Sequence, residues 1–278
     1  MNRLISIELQ KIWKNKASRV LTLTYFILLS FIALIASIKF DIGPLKFHFA
    51  EMGIFNFPYI WHFNTYVAGW LKLFLAIVIV SMMANEYSYG TLKQNLIDGL
   101  SKKEFILSKF LTVVVFALCS TIFVFIMSLL LGLTFSSYNE FDVIIMDLDY
   151  LLAFFVKLIG FFSFCLFLGI FVKRSAFALG FLLLWFIIES IIKGFLAFSV
   201  FPNSNTDKLF SQFLPLESMS NLIVEPGTRL SLIRSIGSQM GVEGNKDYSV
   251  HYFSILIVSV WTFLFVYFSY KLLKNRDL

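Results

Sequence analysis

Six long apolar runs limit what this chain can fold into. They lie near residues 20–38, 64–84, 107–135, 150–172, 176–200 and 251–270. The hydrocarbon core of a bilayer is about 30 Å thick, and a helix needs about 20 apolar residues to cross it. Inside that core every backbone N–H and C=O must be satisfied within the protein, which leaves the helix as the form for such runs. Composition agrees: mean hydropathy is +0.83 and 14% of residues are charged, against about 25% in soluble domains. A fold in water could not hide this much apolar surface. The expectation is an all-α membrane protein, one transmembrane domain over residues 1–278 with six transmembrane helices.

Basic residues set the expected orientation. Arg3, Lys11, Lys14, Lys16 and Arg19 precede the first run, and Lys93, Lys102, Lys103 and Lys109 lie between the second and third or at the edge of the third. Lys173 and Arg174 occupy the tight turn between the fourth and fifth, and Lys271, Lys274 and Arg276 follow the sixth. With six spans, all four groups fall on one side. By the positive-inside rule that side is the cytoplasm, and both termini lie there. Glu140, Asp142, Asp147 and Asp149 gather on the opposite side. This distribution accounts for the net charge of +6 without a nucleic-acid partner.

The first run follows a basic region, but it is too long for a signal peptide and lacks a clear cleavage site. Before it, residues 1–19 place Leu4, Ile5, Leu9, Ile12 and Trp13 near one helical face, with lysines on much of the rest. That pattern suits an amphipathic helix in the membrane interface, or simply a basic flank. Residues 39–63 are aromatic-rich, and residues 201–250 form the largest hydrophilic insertion, long enough for a cap or short re-entrant helices. Cys119 and Cys165 lie in apolar runs, where a thiol acts as a small hydrophobe. His48, His62 and His251 stand near expected membrane edges. No metal site or disulfide is expected.

Residues 85–106 are the most polar continuous stretch in the first half. Leu92, Leu96, Ile97 and Leu100 give it an apolar helical face, and Asp98-Gly99 marks a stop. Ser101 followed by Glu104 forms a capping box for the next helix. A short helix between two spans could transmit force from a partner or serve as a passive linker.

The stretch "NEYSYGTLKQNLIDGLSKKEFILSKFL" resembles the signature of type-2 ABC transporter permeases. The matching positions are Glu86, Gly90-Thr91, Lys93, Leu96, Gly99, Ser101-Lys102-Lys103 and Lys109. The family commonly has Arg where Lys102 or Lys103 stands. The six-span layout, the N-terminal helix and the large last outer loop extend the likeness along the chain. The resemblance implies an ABCG-like exporter fold in a bacterial inner membrane. It further implies that the segment after span two holds a coupling helix docking on a separate ABC ATPase subunit, with a second permease copy or paralogue completing a dimer. ATP and magnesium would then be used by the partner, with no cofactor bound by this chain. No Gly-x-x-x-x-Gly-Lys-Ser/Thr phosphate loop occurs in the sequence.

Lys72, Lys157, Glu189 and Lys193 lie within the apolar runs, where a mid-bilayer charge costs about 2.5–3.5 kcal/mol on insertion scales. Glu189 precedes Lys193 by four residues, the favourable order for a helical pair. Counted along their helices, all four could meet at similar depth. They could form a neutralised hub, line a polar exit cavity suited to anionic groups, or contact membrane lipid.

The leading expectation is a permease subunit of an ATP-driven exporter of a hydrophobic or amphiphilic substrate, with no catalytic residue of its own. The alternative is an ion-coupled secondary transporter or channel subunit, although no repeat or broken-helix pair is present. A membrane enzyme fits poorly. Asp98-Gly99 resembles the start of a CDP-alcohol phosphotransferase motif, but its following Ala-Arg and later paired Asp residues are missing.

Overall fold

Several helices extend beyond the apolar runs. The computed structural model describes residues 2–38, 40–42, 45–47, 53–200, 206–229 and 247–276. Six of its helices are long and apolar enough to cross a membrane, and by that measure the protein is a predominantly helical integral membrane protein with one short β-hairpin. In chain order the elements begin with α1 (Asn2–Lys14), α2 (Lys16–Ser37) and a two-stranded antiparallel hairpin of β1 (Phe40–Ile42) and β2 (Leu45–Phe47), in which Phe40 faces Phe47. Then come α3 (Tyr59–Ser88), α4 (Thr91–Ile97), α5 (Lys102–Phe135), α6 (Phe141–Ile145), α7 (Asp149–Val172) and α8 (Ser175–Phe195). A π-helical turn, Leu196–Val200, prolongs α8, and α9 (Thr206–Ser211), α10 (Pro215–Ser220), a 3-10 turn at Gly227–Arg229 and α11 (Tyr252–Lys274) complete the order.

The span limits differ from the apolar runs for local reasons. Helix α3 starts at Tyr59 rather than 64 because Trp61, His62 and Phe63 are buried against neighbours, so packing extends the helix through them. Helix α5 starts at Lys102 because Ser101 caps it. The Ser101 hydroxyl accepts from the Glu104 N–H while Glu104 accepts from the Ser101 N–H. At 34 residues it is about 51 Å long, well beyond the apolar core of a bilayer. Between α1 and α2, Asn15 accepts the Ser18 N–H at 3.1 Å and so caps the new helix at the bend.

Helices α3 and α7 form the centre. In its most apolar stretch the α7 span is 72% buried and α3 56%, whereas α8 is 17% buried. The central pair runs parallel: Gly69 lies against Lys157, Lys72 over Phe161, and Met83 against Gly169, advancing together along both helices. A Cβ at Gly169 would sit 2.9 Å from the Met83 Cβ. Polar contacts fasten α5 to this centre and to α2. Asn64 donates to Ser128 at 2.8 Å, and Tyr25 hydrogen-bonds Ser120. Around them α2, α5, α8 and α11 expose Ile27, Phe31, Leu130, Phe186, Ile191 and Phe263. Cys119 is exposed rather than in the core, while Cys165 is buried.

The two chain ends lie at the same end of the bundle. Lys102 Nζ donates to the carbonyls of Lys274 (3.2 Å) and Arg276 (3.0 Å). The Arg276 guanidinium donates to Ile170 O at 2.6 Å and Phe171 O at 3.1 Å, covering last-turn carbonyls of α7 with a cation, the favourable sign there. At the opposite end the insertion supplies α9 and α10, with Met219, Leu222 and Ile223 buried. His62, in the first turn of α3, is fully buried. Its Nε2 donates to Val224 O at 2.6 Å, and its ring stacks on Tyr150 at 4.3 Å. His48 lies outside the described residues.

Candidate functional site

Helix α1 buries Ile12 and turns Leu4, Ile5 and Leu9 partly inward, as the sequence pattern suggests, but Trp13 is 54% exposed. The same inward face carries Glu8, which is buried. A buried carboxylate needs partners, and it finds one in α5. Lys109, wholly buried, has its Nζ 2.5 Å from Glu8 and 2.6 Å from Glu86, at the end of α3. Lys11 reaches the same two acids at 3.1 and 2.9 Å. Thr91, the first residue of α4, donates its hydroxyl to Glu86 at 2.5 Å. Two ammoniums and two carboxylates thus close a neutral set joining four helices. Burial alone would hold the Lys11 ammonium down, but Glu86 and Glu8 outweigh it and raise its pKa above the ordinary value. A cavity of about 300 Å³ adjoins the set, lined in part by Asn85, Tyr89 and Thr91.

Helix α4 is held at both ends by glycines in the left-handed region. Gly90 (φ 68°) turns the chain out of α3, and Gly99 (φ 96°) closes α4. Gly99 N–H bonds Leu96 O at 3.2 Å and Leu100 N–H bonds Asn95 O at 3.0 Å, the Schellman closure that favours glycine. Leu92 is buried and Leu96 partly so, which faces Lys93, Gln94 and Ile97 outward; Ile97 is 75% exposed, and Tyr89 just before the helix is 73% exposed.

The structure therefore brings Glu86, Thr91 and Lys109 together, puts Gly90, Gly99 and Ser101 at helix ends, leaves Lys93 and Lys103 exposed, and turns Lys102 toward the last helix. Sequence reasoning missed Glu8, Lys11 and Arg276. A signal existed for Glu8: an acid on the apolar stripe of α1.

The four intramembrane charges do not meet. Glu189 does not pair with Lys193. Its carboxylate accepts the N–H of Leu216 and Glu217, each at 3.0 Å, and the Trp185 indole N–H at 2.6 Å. Those amides open α10, where the first N–H groups of a helix lack internal partners and favour an anion. Lys193 instead pairs with Glu217 at 2.5 Å. Lys72 and Lys157 lie apart from both, at the α3–α7 contact.

Residues 26–278 match a family described as a protein of unknown function, DUF2705. The chain belongs to this family. A 63-residue stretch is also 41% identical to an uncharacterized protein, YhcI, of Bacillus subtilis (strain 168), covering 23% of this chain and 20% of that protein. The match thus spans about a fifth of the relative's length. The DUF2705 match takes in five of the six spanning helices whole and all of α4, but begins after Glu8 and Lys11.

Proposed function

We propose that this DUF2705 protein is the membrane-embedded permease subunit of an ATP-driven transporter, similar to type-2 ABC exporters, with α4 as its coupling helix. In this reading the termini are cytoplasmic in a bacterial inner membrane, and α1 lies in the cytoplasmic interface. A separate ABC ATPase hydrolyses ATP with magnesium, and a second copy or paralogue of the permease completes the transporter. The exported molecule is hydrophobic or amphiphilic.

One observation carries the reading. Glu86, Thr91 and Lys109, three residues of the permease-like stretch, share one buried ion set that fixes α4 against α3 and α5. A short helix held in that way can pass a push from its exposed face into two spanning helices, whereas a passive linker needs no such anchoring. The exposed face combines Tyr89 and Ile97 with Lys93 and Gln94, an aromatic and aliphatic centre with polar neighbours, as interface cores have.

Affinity purification of the tagged full chain in mild detergent tests it. Wild type is expected to retain a phosphate-loop ATPase at equal stoichiometry, and a Lys93→Glu/Ile97→Asp variant to lose it while eluting as a folded species. If neither form retains an ATPase, the coupling assignment is wrong and ion-driven transport becomes the reading to test, with an ionophore as the discriminating reagent.

A further inference from the structure

Among the described residues, no carboxylate pairs with Lys72 or Lys157. Lys157 is 5% exposed, and its ammonium end lies against Gly69 of α3, 3.8 Å from where a Cβ would stand. Lys72 is one turn further along the same helix, with its Nζ 4.3 Å over the Phe161 ring. Phe161 is in turn four residues beyond Lys157 on α7. Both side chains therefore occupy one short section of the α3–α7 contact. The Phe161 face offsets part of one charge; nothing described offsets the other.

Depth makes the arrangement costly. Lys157 lies about 12 Å along α7 and Lys72 about 20 Å along α3, counted from their first residues at 1.5 Å per residue. An ionisable side chain at such depth is retained for function or for a partner. The carboxylates carried by the spanning helices lie elsewhere. Helices α2, α3, α5, α7, α8 and α11 carry only Glu86, Glu104, Asp149 and Glu189. Glu86 serves Lys109 and Lys11, Glu104 caps α5, Asp149 is at the very start of α7, and Glu189 holds the start of α10. A second copy would present the same helices and so bring no spare carboxylate to this level. Lys72 is partly exposed beside the exposed Trp70 and Leu73, so its end of the pair borders the outer surface of the bundle.

We propose that Lys72 and Lys157 form an anion site within the membrane that takes the phosphate group of a net-anionic amphiphile entering from the side. Two ammoniums would more than balance the single charge of a phosphodiester, and they supply up to six N–H donors. An amphiphile lying beside the exposed Trp70 and Leu73 would keep its acyl chains in the bilayer. The site does not depend on what drives the protein, so it stands or falls separately from the permease assignment.

Native mass spectrometry of the full chain in detergent tests this, with phosphatidylglycerol and phosphatidylcholine of identical acyl chains as probes. The wild type is expected to hold one phosphatidylglycerol at least tenfold more tightly than phosphatidylcholine. Lys157→Met and Lys72→Met should each bring that ratio close to one, and Lys193→Met should leave it unchanged. Inorganic phosphate at millimolar concentration separates the sources: displacement of the lipid identifies a free anion as sufficient, and retention assigns the acyl chains to the ligand. Thermal unfolding gives a second readout that a structural role would move the other way. Without lipid, Lys157→Met should melt higher than wild type, because an unpaired charge has gone, and phosphatidylglycerol should stabilise only the wild type. Equal binding of the two lipids by wild type, or a preference that survives both substitutions, overturns the proposal.

Discussion

At the scale of single residues, Lys109 is the decisive position. It is wholly buried between two carboxylates, and removing it strands both. Taking one partner from a buried ion set costs about 3–5 kcal/mol, so Lys109→Met should lower the unfolding midpoint in detergent sharply. Lys11 contacts the same acids but is 39% exposed at its side chain, and an ion pair open to water contributes about 0–1 kcal/mol. Lys11→Met should therefore shift the midpoint little. Equal shifts for the two variants would mean that the set is not organised around Lys109. The sequence made part of this visible, since Glu86 and Lys109 stood out in the permease-like stretch. Glu8 did not, because its partner is 101 residues away and helical periodicity carries no information across such a distance.

At the scale of elements, local rules read well and competition between distant groups did not. The Ser101–Glu104 box and the Gly99 stop could be foreseen because each is decided within a few residues. The Glu189–Lys193 pair was equally local in prospect, yet the amides opening α10 captured the carboxylate from 27 and 28 residues away. Three N–H donors in place outcompete one flexible ammonium, which found Glu217 instead. Close approach between elements offers a matched test. Gly169 packs α7 onto α3, where a Cβ would stand 2.9 Å from Met83 Cβ and 3.4 Å from Val80 O. Gly180 on α8 has nothing within 4 Å. Gly169→Ala should cost about 1–3 kcal/mol through overpacking, while Gly180→Ala should be neutral or stabilising by up to about 1 kcal/mol from helix propensity. Melting curves of the two purified variants check this, and a destabilised Gly180→Ala with an unaffected Gly169→Ala would invert the assigned centre and periphery.

At the scale of the whole molecule, six apolar runs were enough to foresee the architecture, and the order of burial among them was not. All six are hydrophobic to a similar degree, so the sequence gives no reason for α7 to be central and α8 peripheral. That ranking depends on packing, on the Gly69 and Gly169 approaches, and on Arg276, which ties the end of α11 to α7 while Lys102 ties it to α5. Charged hydrogen bonds of this sort contribute about 1.5–3 kcal/mol. Arg276→Ala should thus raise amide exchange about tenfold or more at the last turns of α7 and α11, leaving the α3–α6 contact made by Trp61 and Ile144 unchanged. Hydrogen exchange with mass spectrometry resolves the two regions, and uniform loosening throughout would show that the tie is not local.

The ion set beneath α1 also imposes a timetable on synthesis. Glu8 leaves the ribosome 101 residues ahead of Lys109, and Lys11 leaves it 75 residues ahead of Glu86. Until the third span has been inserted, α1 has no cation from α5 to receive its acid. Helix α1 is therefore made ahead of the third span but seated only after it, and its seating reports that the first three spans have arrived in register.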